Sequence, residues 1–215
     1  MERSAAYAGI VGALLFVASG IIPGAFPAYS ASATTISAYI VAHAFALTLA
    51  TWLTLPAAAF LLWFAFGLFD YLRGPDDGDR TLSQWGAAGA IVSMTLSIVS
   101  VALSYGAAVR PDGGSTALPE LYVFDIALFA FAMGAYGAFV FAASHEARRK
   151  GTLPSWLNML GYLTFLVDLA FTLCIFGTSE KLAITGTFAY VAPTISMLWT
   201  ILASIVLITR TSRSA

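Results

Sequence analysis

The chain has 215 residues, 60% of them hydrophobic and only 10% charged, with a net charge of −1 and a mean hydropathy of +0.86. A soluble domain carries about 25% charged residues, so the composition excludes an ordinary soluble globule, and the lack of any basic excess argues against a nucleic-acid partner. A single cysteine, Cys174, excludes an intramolecular disulfide.

The first apolar run is Ala5–Ile22. Arg3 ahead of it and small residues after it resemble a secretory leader, but its 18 residues exceed the ~7–15 of a leader's apolar core. We read it as a retained first span. The stretch from Thr35 to Leu72 is too long for one straight span. Thr34 or Thr35 has N-cap character, which predicts a short interfacial helix near Ile36–Ala44 and a second span over Phe45–Leu72. Pro56 removes one backbone hydrogen bond inside that span and should kink it. His43, in the short helix, is a candidate ligand-binding residue on the outer half of the protein.

The third span is Gln84–Ala108. At 100° per residue its Gly86, Gly89, Ser93, Ser97, Ser100 and Ser104 fall within an arc of about 80°. Small residues let helices approach closely, and hydroxyls can bond across the contact. We expect this seam to receive the fifth span, with Ser97 near Asp168. The fourth span, Leu121–Ser144, carries Asp125 about one turn inside its outer end, with Tyr136 on the same face. An acid there is favoured by the helix dipole, and Arg110 in the preceding loop is a candidate salt-bridge partner.

The fifth span, Trp156–Gly177, holds the costliest residue. Its 22 residues would reach ~33 Å, enough for a ~30 Å hydrocarbon core. Asp168 sits near its middle, where an acid costs roughly 2.5–3.5 kcal/mol and needs a partner, a wet cavity or a proton. Gly161, Thr164, Asp168 and Thr172 share one face. That polar face, buried toward the bundle, should bring Asp168 to Ser97 or to an outer cavity bounded by Asp125, Tyr136 and Tyr190. The sixth span, Thr187–Thr209, begins near Tyr190. A short repeat at an offset of 71 aligns Thr81-Leu82-Ser83-Gln84-Trp85 with Thr152-Leu153-Pro154-Ser155-Trp156, and Ser97 with Asp168.

The fold expected is therefore all-α: one polytopic membrane bundle over residues 1–215, with six transmembrane helices and a short interfacial helix before the second. Eight of the ten Lys and Arg residues fall on one side if the N-terminus is cytoplasmic, which predicts both termini inside. The sequence has no phosphate-binding glycine loop, dinucleotide fingerprint, G-x-S-x-G or H-E-x-x-H. His43 and His145 lie at opposite faces, so they predict neither a haem nor a metal site. No cofactor is expected.

The block Gly151-Thr152-Leu153-Pro154-Ser155-Trp156-Leu157, with the Ile36–His43 pre-helix feeding Phe60-Leu61-Leu62-Trp63-Phe64 and ending at Arg73, resembles uncharacterised six-span membrane proteins of an actinobacterial type, a domain-of-unknown-function family. The resemblance implies a bacterial plasma-membrane protein and carries over no activity.

Three functions fit these residues. The first is binding of an apolar or lipid-like ligand, or service as an accessory subunit of a membrane complex. Its partners would be membrane lipids, an apolar small molecule or another membrane protein. The ligand-binding candidates are His43, Ser97, Tyr136, Thr164, Thr172 and Tyr190. The second is a membrane cyclase or isomerase of a lipid or isoprenoid, with Asp168 or Asp125 as the acid. The third is a proton-coupled transporter with Asp168 as carrier, for which an inverted repeat is lacking.

Overall fold

The computed structural model describes residues 3–28, 31–73, 81–109, 117–176 and 188–211. Among them the chain forms seven α-helices and no strand: α1 (Arg3–Ile21), α2 (Ala33–Ala42), α3 (Ala44–Leu72), α4 (Thr81–Val109), α5 (Ala117–Lys150), α6 (Ser155–Leu173) and α7 (Phe188–Thr211). All but α2 are long and apolar enough to cross a membrane. Helices are the natural outcome, because lipid offers no partner for an unpaired backbone N–H or C=O.

Each long helix packs on its neighbour in the chain, and α7 closes back on α1. α5 is the most central, touching α2, α3, α4, α6 and α7. Its Phe139 meets Phe64 and Phe69 of α3 and Trp199 of α7, with ring centroids 5.8–6.3 Å apart and near-perpendicular planes. These edge-to-face contacts put the positive ring edge on the negative ring face.

Local chemistry explains the element ends. α2 is capped by Ser32, whose Oγ accepts the Thr35 N–H at 3.2 Å. This corrects the expectation of a cap at Thr34 or Thr35. The N–H groups left free start at residue 33, so the capping oxygen must lie before them. α3 continues through Pro56. α5 runs six residues past the expected end at Ser144, because its stop lies at Gly151, in the left-handed region at φ 63°. There the Thr152 N–H bonds Ala147 O at 3.0 Å and the Gly151 N–H bonds Arg148 O at 3.3 Å, the paired bonds of a Schellman ending. α6 is shorter than expected, giving way to a 3₁₀ turn over Cys174–Phe176. The expected end at Gly177 and the expected start of the last span at Thr187 lie outside the described residues.

The serine seam of α4 is buried at Ser93, Ser97 and Ser100, as expected of a face that meets protein. Its partner differs: α4 packs on α3 and α5, and the seam meets α5 rather than the fifth span, α6. Gly89 shows why. A Cβ there would lie 2.8 Å from the Ala135 carbonyl oxygen and 3.2 Å from the Phe139 nitrogen. At Gly89 the notch in α4 is filled by the backbone of α5 itself.

The repeat acquires a structural meaning. Shifted by 71, Thr81 falls on Thr152, just before α6, and Ala117 falls on Phe188, where α7 begins. In this register residues of the α4–α5 hairpin correspond in sequence to those of the α6–α7 hairpin. The same shift carries Ser97 to Asp168 and Asp125 to Ser196.

Candidate functional site

α2 defines one end of the bundle, and a cavity of about 250 Å³ opens there between α1, α3, α4, α5 and α7. Its walls are mainly apolar, with Phe16, Phe26 and Phe129 among them. Two tyrosines shape this end by pinning the α1–α2 link: Tyr39 Oη donates to Pro23 O at 2.9 Å and Tyr122 Oη to Pro27 O at 2.6 Å. Burial, with Tyr190 and Asp125 nearby, pushes the Tyr39 phenol well above its ordinary pKa. It therefore stays a donor to Pro23 across the physiological range.

Among the described residues Asp125 is the one acid in the cavity wall, and no Lys, Arg or His lines it. One turn apart on α4, the Ser100 and Ser104 hydroxyls each donate to one of its carboxylate oxygens. Ser100 also lies 3.1 Å from the Asp125 main-chain oxygen. Thr51 and Thr54 turn their protons to main-chain carbonyls, Thr51 to Leu47 and Val101 and Thr54 to Ala50. Ser97 lines the cavity and makes no hydrogen bond among the described residues. Tyr190 lines it too. The arrangement offers an apolar volume with a single anchored carboxylate. Arg110, considered as a partner for Asp125, lies outside the described residues.

Asp168 is elsewhere. It points into the bundle, fully buried, and does not line the cavity. Its partner is Ser196 of α7, whose hydroxyl lies 2.8 and 3.0 Å from the two carboxylate oxygens; this corrects the expectation of Ser97. Ser97 is out of reach because α5 stands between α4 and α6. The close approach uses Gly137, where a Cβ would lie 2.9 Å from Asp168 Cβ. Thr172 clasps α5 and α6 by reaching Ala130 O at 2.8 Å and Asp168 O at 2.9 Å, and Thr164 bonds back to Leu160 O at 2.9 Å. Tyr136 joins this hydroxyl network, 2.6 Å from Thr200 Oγ1, and is not in the cavity wall. His43 also lies outside that wall, stacked on Tyr39 at 4.3 Å with Nδ1 2.9 Å from Tyr39 O.

Of the sequence candidates, the cavity therefore gathers Asp125, Ser97 and Tyr190. The hydroxyl network between α5, α6 and α7 gathers Asp168, Thr164, Thr172 and Tyr136. Sequence reasoning missed Ser196, Thr200 and Ser204, all fully buried. Their spacing of four residues was the available signal, a hydroxyl stripe on one face of α7. It also missed the cavity role of Thr51 and Thr54. Among the described residues no group of three His, Cys, Asp or Glu side chains gathers to hold a metal ion.

The opposite end carries the basic residues. A second cavity there is lined by Phe141, His145, Arg148, Arg149 and Tyr162. Arg149 pairs with Glu146 at 3.6 Å, the Lys150 ammonium donates to Leu72 O, and Arg210 donates to Gly151 O and Thr152 O. The Lys150 and Arg210 bonds tie helix ends and the α5–α6 turn together.

The molecule is a multi-span, all-α membrane protein. Comparison with protein-family models, curated proteins and solved structures gives no match to this chain.

Proposed function

We propose that the protein binds an apolar, lipid-like small molecule in the cavity at the α2 end, with Asp125 as the polar anchor. The observation that carries this reading is a cavity of about 250 Å³ whose mainly apolar wall contains one carboxylate held by two serine hydroxyls. Ligand sites pair an apolar wall with a few convergent polar groups. The cyclase reading draws less support, because the second acid, Asp168, is absent from that wall and bonded to Ser196.

The test is ligand content. Protein purified in mild detergent should carry an extractable apolar molecule, detected by native mass spectrometry. Asp125→Asn should lose most of it, and Asp168→Asn should keep it. Equal occupancy in the wild type and Asp125→Asn would end the proposal.

On orientation, both termini face the cytoplasm. The support is that Arg3, Arg73, Arg148, Arg149, Lys150 and Arg210 all belong to the end opposite α2, and cytoplasmic loops are the basic ones. In a Cys174→Ser background, single cysteines at Gly113 and Ser179 should react with an impermeant reagent on intact cells. Those at Gly78 and Lys150 should not. Labelling of position 78 from outside would reverse the topology.

A further inference from the structure

The chemistry of the cavity wall narrows the ligand class. We infer that the cavity takes a compact lipophilic cation, an organic ammonium with a single small apolar body; this rests on the reading of the cavity as a ligand site.

Four observations converge on it. Among the described residues Asp125 is the only formally charged one in the wall. Its two partners, Ser100 and Ser104, are neutral hydroxyls. A carboxylate has about four lone-pair positions, so roughly two stay open to a ligand donor. An N–H of an ammonium head would fill one of them and supply the missing countercharge, and a charge set in an apolar wall is stable only when paired.

The second observation is aromatic. Phe16, Phe26, Phe129 and Tyr190 share the wall with Asp125, and ring faces attract cations where water is excluded. The third is the placement of the described charges. Every described Lys and Arg lies at the opposite end, whereas Glu120 stands five residues before Asp125 on α5. Among the described residues of the wall an anionic ligand would find no positive partner. The fourth is size. About 250 Å³ lies below the ~300–1,000 Å³ of usual ligand sites, which suits one short chain or ring.

The experiment compares three probes of eight carbons each: n-octylammonium, n-octanol and n-octanoate. Each is titrated at neutral pH against the purified protein in nanodiscs of neutral lipid, with empty nanodiscs subtracting partition into the bilayer. Octylammonium should bind at least ten-fold more tightly than octanol, and octanoate should show no saturable binding. Asp125→Asn should bring the ammonium and the alcohol within about two-fold of each other, and Asp125→Glu should keep the preference. If the alcohol binds as well as the ammonium to the wild type, the cation inference fails and the apolar-ligand reading stands. If no probe binds above empty nanodiscs, both fail. The wild-type series decides the question even where a variant does not fold.

Discussion

Replacing Gly89 by leucine should leave the protein unable to fold, and Gly89→Ala should lower its stability by about 1–3 kcal/mol. The atoms that an added Cβ would meet are the Ala135 carbonyl oxygen at 2.8 Å and the Phe139 nitrogen at 3.2 Å. Both belong to a helix backbone and cannot swing aside as a side chain would. Relief requires α4 and α5 to separate, which also parts Ser100 and Ser104 from Asp125. Gly106, in the same helix, is the internal control, because nothing lies within 4 Å of the Cβ position there. Gly106→Ala should therefore be neutral or gain about 0.4–1 kcal/mol by restricting the unfolded chain. Thermal unfolding in one detergent, followed by circular dichroism, measures all three variants. Equal melting for Gly89→Ala and Gly106→Ala would show that the α4–α5 contact is looser than described.

The second large effect is expected at the buried acid. Ser196→Ala removes the hydroxyl that faces both oxygens of Asp168 and should cost about 1–3 kcal/mol, the penalty of a buried polar group left unpaired. Asp168→Ala should cost a similar amount, since it strands the Ser196 hydroxyl and opens a void. The double variant should be less damaging than the sum by about 0.5–3 kcal/mol, because the pair is then lost together. Asp168→Asn retains an acceptor for Ser196 and should stay close to the wild type. Strict additivity of the two alanine changes would mean that the pair makes no energetic contact.

The architecture could be read from the chain because apolar length is written there directly. Each of the six long helices contains a run that spans a bilayer, and the division of residues 35–72 into a short helix and a long one follows from excess length. The buried face of α4 could be read as well, since serines and glycines gathered on one arc gain nothing from lipid. What faces that arc could not. A small seam accepts any close-packing helix, and α5 takes it because the hairpin makes it the nearest one.

The same limit applies to the two acids. Depth in the membrane singled out Asp168, and depth is a property of sequence position. Whether an acid meets a hydroxyl or an open cavity depends on neighbours that lie far away in the chain. Ser196 answers Asp168 from 28 residues away, and the cavity beside Asp125 exists only where five helices diverge. Tyr136 illustrates the point from the other side. It shares the Asp125 face of α5, yet its hydroxyl lies more than two turns further along and reaches Thr200 instead.

The shift of 71 residues that relates the two hairpins bears on how the chain enters the bilayer. Asp125 of α5 is answered by Ser100 and Ser104 of α4, and Asp168 of α6 is answered by Ser196 of α7. The acid lies on the second helix of one hairpin and on the first helix of the other, but each time its hydroxyl partner lies within the same hairpin. Neither carboxyl group needs the other half of the bundle. Each hairpin can thus leave the insertion machinery as a helical pair whose most polar group is already bonded, at a stage when no third helix is present to help. Assembly then only has to bring together surfaces that are already compatible with lipid.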